Sequence, residues 1–370
     1  MCNLCTSGYR RRILEEEHLH PSSDLKLASG NFTVHTPGST ARFAEHWAKL
    51  YFIRKYMPIN NPEDVLNVVY KVHCRDYDKA SELIDRLPEQ PYNATFRKPW
   101  CIQFWYYDEH LENREQSEDC LYLNIFVPSQ TKHALPFPVL VWIHGGSFQV
   151  GGSGMFPIRT TVKNLVSRGI VVVFVNYRLG PLGFLSSLSA DLPGNYGLDD
   201  QVTALRWIKA NIADFGELFH RIIARSGSAL APWAIRSVNT DLNSLHVIKL
   251  TSCLTDKRTA NLSCLQHAPL SKFKTIWKTI AIDDLNLVLL KGEHEPMNNN
   301  HPFMAHTYFT PVVDSYRGSD SIIPTHSKEL MKRNARLPIM TGITTGECIA
   351  YVSWLAYLGK MLYLIESAHP

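Results

Sequence analysis

The chain has 370 residues, with 38 Lys and Arg against 34 Asp and Glu, for a net charge of +4. A balance this close to neutral argues against a dedicated nucleic-acid binder, which concentrates far more positive charge. The 45% apolar and 19% charged residues lie far from the polar mix of disordered chains, so a sizeable core is expected, in one large domain or two modest ones.

The first residues, MCNLCTSGYRRRILEEEHLH, hold a basic cluster with no apolar run behind it, and no signal peptide is expected there. Cys2 and Cys5 are spaced like half of a metal site, but no second pair follows at a zinc-like interval, so no metal site is predicted. Residues 1–95 read as a partly helical N-terminal region without a chemical motif. Residues 43–56 and 62–87 carry its helix-like stretches, and the second sets Val65, Val68, Val69 and Val72 on one apolar face. Sequons for N-glycosylation stand at Asn31, Asn93 and Asn261; each alone is a weak pointer to a secreted chain.

From Cys101 to Gly216 the texture changes to short β-branched runs between Gly and Pro turns, followed by an amphipathic helix, which indicates α/β. Residues 138–143 and 170–175 are continuous apolar runs of strand length and predict strands covered on both faces. Val202, Leu205, Ile208 and Ile212 recur at helical spacing, predicting a helix that packs on the sheet and ends near Gly216. A further strand is predicted over residues 221–225. No segment offers the roughly 20 uninterrupted apolar residues of a membrane span; the nearest, residues 349–365, is broken by Ser353, Gly359 and Lys360.

Several motifs now stand in order. They are Glu118-Asp119-Cys120-Leu121-Tyr122-Leu123-Asn124, Trp142-Ile143-His144-Gly145-Gly146-Ser147-Phe148, Asn176-Tyr177-Arg178-Leu179-Gly180, Gly194-Asn195-Tyr196-Gly197-Leu198-Asp199-Asp200-Gln201, Ser226-Gly227-Ser228-Ala229, Pro232-Trp233 and Pro311-Val312-Val313-Asp314. In this order they resemble the type-B carboxylesterase and cholinesterase-like family of α/β-hydrolases. Over residues 96–370 the resemblance implies a partial domain of that family: a central mixed, mostly parallel sheet flanked by helices, lacking the nucleophile-elbow strand and the C-terminal part. It also implies carboxylic ester hydrolysis by Ser-His-Glu acyl transfer, a small-molecule ester as substrate in active relatives, and no cofactor.

On the bare residues Gly145-Gly146 reads first as a plain strand-ending turn; by resemblance, Gly146 and Ser147 supply oxyanion-hole amides. The family places one disulfide at Cys101 and Cys120 and another at Cys253 and Cys264, the alternative being free buried thiols. Paired cysteines imply an oxidising compartment. With Asn93 and Asn261 as glycosylation candidates, they point to a secretory-pathway or extracellular parent. Trp233 falls near the family's acyl pocket, or is plain core.

Ester hydrolysis on this fold needs a serine in a G-x-S-x-G elbow, a histidine and an acid. No serine in the chain has glycine both two residues before and two after; the nearest, Ser153, follows Gly151 but precedes Met155. The helix segment Asn211-Ile212-Ala213-Asp214-Phe215-Gly216 joins Glu217-Leu218-Phe219-His220-Arg221 directly, where the family inserts a turn, a strand, the elbow and a helix. Glu347 falls at the triad-acid position, although Gly346 and Cys348 depart from the family's surroundings. The triad histidine is expected later, where only His369 stands, without matching context; His144, His220, His301, His306 and His326 precede the acid. The nucleophile and histidine are thus expected to be absent and the chain inactive. The alternatives are a non-catalytic cholinesterase-like adhesion protein with a protein partner, or a truncated or mis-spliced product of an esterase-type gene.

Overall fold

The computed structural model describes residues 66–69, 98–104, 114–126, 128, 137–211, 219–231, 234–235, 238–256, 259–291, 308–334 and 337–343. The expected helix at 43–56, the apolar run 349–365 and the pair Cys2 and Cys5 lie outside the described residues, as do Asn31, Asn93, Trp233 and the junction between Gly216 and Glu217.

The principal sheet has four strands in the order β1 (Leu66–Val69), β4 (Tyr122–Phe126), β6 (Val171–Val175) and β5 (Val139–Ile143). β6 is four valines and a phenylalanine, side chains that suit a pleated, packed surface, and it is buried along its whole length. β4 is equally buried. β5, parallel to β6, is only half-buried because its other edge pairs with no described strand. The pairing is mixed, as expected. In this sheet, however, β4 meets both β1 and β6 antiparallel, and only β5 and β6 run parallel.

One expectation is corrected here. The helical spacing of Val65, Val68, Val69 and Val72 gives way to a strand over Leu66–Val69, paired antiparallel with β4 from Ile125 to Tyr122. Pairing with β4 gives this segment ladder hydrogen bonds from a distant part of the chain, which the local helical spacing does not encode.

β5 leads through helix α1 (Ile158–Asn164) to β6, and β6 through the short helix α2 (Gly180–Phe184) to α3 (Tyr196–Asn211). α3 matches the predicted helix, but its packed face is rotated: Ala204, Trp207 and Ile208 are buried, whereas Val202 and Leu205 are half-buried. Beyond it lie α4 (Val238–Leu250), α5 (Leu262–His267) and α6 (Leu270–Lys291). α6 buries Phe273, Ile276, Trp277 and Ile280 at three- and four-residue spacing, the stripe of a core-facing helix. Gly180 has φ +53°, and a Cβ there would sit 2.2 Å from the Trp277 ring, so only glycine lets α2 approach α6 this closely.

Two small parallel sheets complete the described structure. β2 (Trp100–Cys101) pairs with β3 (Gln116–Ser117), and β7 (Ile222–Arg225) with β8 (Ile339–Gly342), which follows helix α7 (Ser327–Asn334). β7 is the strand predicted near residues 221–225. Among the described residues it does not join the principal sheet. The Cys101–Cys120 disulfide, with Cα atoms 4.8 Å apart, ties β2 to the start of β4; Cys253–Cys264, at 5.4 Å, closes the turn between α4 and α5. Each closes a short loop and restricts the unfolded chain by about 3 kcal/mol.

Candidate active site

The chain leaves β5 through His144 into the loop Gly145-Gly146-Ser147-Phe148. Gly146 has φ +125°, and a Cβ there would meet the Val150 carbonyl oxygen at 1.7 Å, so any other residue is excluded. The turn is closed by the amides of Gln149 and Val150, which both donate to the Gly146 carbonyl at 2.9 and 3.0 Å. Ser147 and Phe148 also sit at positive φ, 56° and 63°, a left-handed conformation sustained only when the surroundings over-determine it. Here they do. The Phe148 carbonyl accepts from the Gly180 amide at 2.8 Å, and the buried Gln149 side chain donates to the Phe309 carbonyl at 2.8 Å.

Behind the loop, Gln103 makes two hydrogen bonds to the backbone of Gly151: its Nε2 donates to the Gly151 carbonyl at 2.8 Å, and its Oε1 accepts from the Gly151 amide at 2.9 Å. Asn176 accepts from the Ser153 amide at 2.8 Å and donates to the Cys120 carbonyl at 3.0 Å, fastening the same loop to β4. Among the described residues, neither the Gly146 nor the Ser147 amide donates a hydrogen bond. Two adjacent amides on a fixed turn, with no acceptor among the described residues, have the arrangement that stabilisation of a developing oxyanion requires.

His144 is buried and stacked on Tyr177 with ring centroids 4.3 Å apart, and the Tyr177 hydroxyl donates to the His144 carbonyl at 2.9 Å. Its Nδ1 lies 2.9 Å from the Gly145 carbonyl, which requires the proton on Nδ1; Nε2 has no partner among the described residues. Burial pushes the imidazole down to about 4, against a smaller opposing effect of the Gly145 carbonyl. His144 is therefore a neutral positioning group for the turn. Of the other histidines expected to be structural or exposed, His220 and His326 are exposed, and His301 and His306 lie outside the described residues. Glu347 and His369 lie outside them too.

Sequence reasoning treated the remaining motifs as markers of resemblance and missed what they do: their polar residues hold one another. Arg178 grips Asp200 through Nε and Nη2 at 2.8 and 2.7 Å, both groups buried, while the Arg178 amide donates to the same carboxylate at 3.0 Å. Arg317 reaches Asp199 at 3.0 and 3.1 Å and Asp314 at 3.4 Å. Asn195 exchanges two hydrogen bonds with the Val312 backbone, at 2.8 and 2.9 Å. Burial raises the Asp199 carboxyl despite its bonds to Arg317. Burial also pushes the Asp314 carboxyl up, but hydrogen bonds from Ser321 and the amides of Ile322 and Ile323 outweigh it and hold the group below its ordinary value. The signal that could have found this network was the density of Asp, Arg and Asn inside otherwise apolar segments, since buried charges persist only when paired.

Asn261 is exposed and caps α5, its Oδ1 accepting from the Cys264 amide at 3.0 Å. Its Nδ2, the atom that a glycan would occupy, is not used in that cap.

The carboxylesterase family model matches residues 88–216 and 217–358. The chain is 32% identical to bile salt-activated lipase of Mus musculus over 268 residues, covering 63% of this chain and 41% of that protein. It is 36% identical to venom carboxylesterase-6 of Apis mellifera over 302 residues, 73% of this chain and 50% of that protein. Neuroligin-3 of Mus musculus matches at 30% over 293 residues, 65% and 32% respectively. The chain spans half or less of the length of these curated relatives. The glycine turn after β5, the disulfides and a family match over most of the sequence agree, and the chain belongs to the carboxylesterase family.

Proposed function

We propose that this chain carries the oxyanion-forming part of a carboxylesterase-family site, with Gly146 and Ser147 as amide donors and Glu347 at the triad-acid position, and that the chain as given does not hydrolyse esters. The carrying observation is that no serine lies in a G-x-S-x-G elbow. Without that serine no acyl-enzyme forms, and stabilising an oxyanion with no nucleophile gives little turnover. Two findings support an internal loss rather than a relocated site. The family match divides between residues 216 and 217, the junction at which the sequence leads one to expect the loss of an elbow block, and β7 stays apart from β5 among the described strands. The reaction class, a small-molecule ester substrate, follows from family membership.

The two disulfides support folding in an oxidising compartment, and Asn93 and Asn261 are the proposed glycan acceptors. Among the described residues no helix is long and apolar enough to cross a membrane. The match to neuroligin-3 is compatible with a non-catalytic, protein-binding role but does not favour it over the ester-hydrolase lineage. The test is labelling of the purified chain with a fluorophosphonate alongside hydrolysis of a short-chain nitrophenyl ester. The expected result is no stoichiometric label and no turnover above buffer. Stoichiometric labelling of one serine, with turnover abolished by its replacement with alanine, would overturn the reading.

A further inference from the structure

The two side chains that hold the loop behind the glycine turn both end on one disulfide. Gln103 Nε2, which donates to the Gly151 carbonyl, also donates to the Cys101 carbonyl at 3.0 Å. Asn176 accepts from the Ser153 amide and donates to the Cys120 carbonyl at 3.0 Å. One amide side chain thus reaches each half-cystine. Cys101 and Cys120 are bonded to each other and buried, at 2% and 0% exposure. Trp100, the neighbour of Cys101 on β2, lies with its ring against Gly152 and Gly154. Residues 151–154 therefore rest on β2, and the disulfide joins β2 covalently to the start of β4.

This loop bears directly on the turn. Gly151 has φ +125°, and a Cβ there would fall 2.2 Å from His144 Nδ1 and 2.6 Å from the Gly145 carbonyl oxygen. Groups packed this closely transmit displacement instead of absorbing it. Val150, next to Gly151, donates its amide to the Gly146 carbonyl at 3.0 Å. A shift of Gly151 is therefore passed to the turn at two places, its entry through His144 and Gly145 and its closing bond through Val150.

From these contacts we infer that the Cys101–Cys120 disulfide positions the oxyanion turn, with Gln103 and Asn176 as positioning residues that carry its constraint to Gly151 and Ser153. The inference rests on the reading of Gly146 and Ser147 as oxyanion donors and adds what fixes them in place. Donors of this kind act because they need no reorganisation as charge develops, so the groups that hold them still are part of the device. The second disulfide serves as the comparison. Cys253–Cys264 also closes a short loop, 11 residues against 19, and so restricts the unfolded chain in a similar way. Its bonds stay in its own turn, where the Asn261 amide donates to the Cys253 carbonyl at 2.8 Å.

Amide hydrogen exchange of the full chain, resolved to single residues, provides the test. The amides of Gln149 and Val150 report on the turn, since both bond to the Gly146 carbonyl, whereas those of Gly151 and Ser153 bond to Gln103 and Asn176 themselves. The expected result is exchange about tenfold faster at Gln149 and Val150 in Cys101→Ser/Cys120→Ser and in Gln103→Met, which keeps the side-chain length and removes its hydrogen bonds. Cys253→Ser/Cys264→Ser should leave both amides unchanged. Should the Cys101→Ser/Cys120→Ser chain fold poorly, Gln103→Met and Asn176→Leu carry the test alone. No acceleration, or acceleration confined to Gly151 and Ser153, would overturn the inference, and so would equal acceleration at Gln149 and Val150 from the two cysteine pairs. Exchange reads the order of the turn with or without turnover, so stoichiometric fluorophosphonate labelling would overturn the proposed inactivity and leave this inference standing.

Discussion

β6 and β7 have similar sequences, Val-Val-Val-Phe-Val and Ile-Ile-Ala-Arg, yet they lie in opposite environments. Val173 is 0% exposed, with strands on both edges and apolar clusters on both faces. Ile223 is 58% exposed, and its partners Ile339 and Met340 are 59% and 66% exposed. Strand propensity is satisfied in both places; burial is satisfied in only one. An apolar run becomes core when neighbours close over it, and the strand that would link β5 to β7 is not among those described. One tie between the two regions is a side chain, the Arg225 guanidinium 5.1 Å from the Trp142 ring centroid. A large exposed apolar surface of this kind favours association with other molecules.

The contrast can be broken most severely at the buried pair that braces α3 against the end of β6. Asp200→Ala leaves the buried Arg178 guanidinium without its carboxylate, and a loss of about 3–5 kcal/mol is expected. Urea unfolding should show a lower midpoint with an unchanged m-value. An equally large loss from Arg225→Ala, in the exposed pair of strands, would remove the distinction between the regions.

Acid should act next, and again through the well-packed region. His144 titrates near 6.5 when unfolded and about 4 when folded, so the unfolded state binds the extra proton between these values. Its contribution is complete above about pH 6.5 and is lost as the pH falls toward 4, by about 3 kcal/mol at full extent. Asp314, held below its ordinary value, adds a loss of the same sign at lower pH, whereas the raised carboxyl of Asp199 acts in the opposite sense. Stability measured by urea at pH 7 and pH 4.5 should differ less in His144→Phe, which keeps a ring against Tyr177. An unchanged difference would remove His144 from the account.

The smallest effect is the sharpest comparison. Val173→Ala should cost about 2 kcal/mol through lost burial and a residual cavity. Ile223→Ala, although it removes a larger side chain, should change stability by no more than about 0.5 kcal/mol while reducing self-association, read by sedimentation velocity. Equal costs at the two sites would mean that β7 is covered in solution.

Much of the architecture was legible in the residues. Runs of valine and isoleucine marked β5, β6 and β7, the period of α3 was plain, and the cysteine positions given by family resemblance are the ones that pair. The strand Leu66–Val69 reads as helix in the sequence because its valines stand at helical spacing, whereas its pairing to β4 is a contact with residues more than 50 positions away. The glycine turn was legible as a motif, but its held geometry was not, since Gln103 and Phe309, which hold Gly151 and Gln149, reach it from distant parts of the chain.

The sequence by itself determined family membership, the placing of the Gly145-Gly146 turn after β5 and the lack of a serine in a G-x-S-x-G setting, because these depend on which residues stand next to one another. Only the tertiary structure decided that the Arg and Asp of the motifs brace one another and that β6 is core while β7 is surface. Pairing of buried charges and coverage of a strand are both set by distances between residues remote in sequence, and no local pattern encodes them.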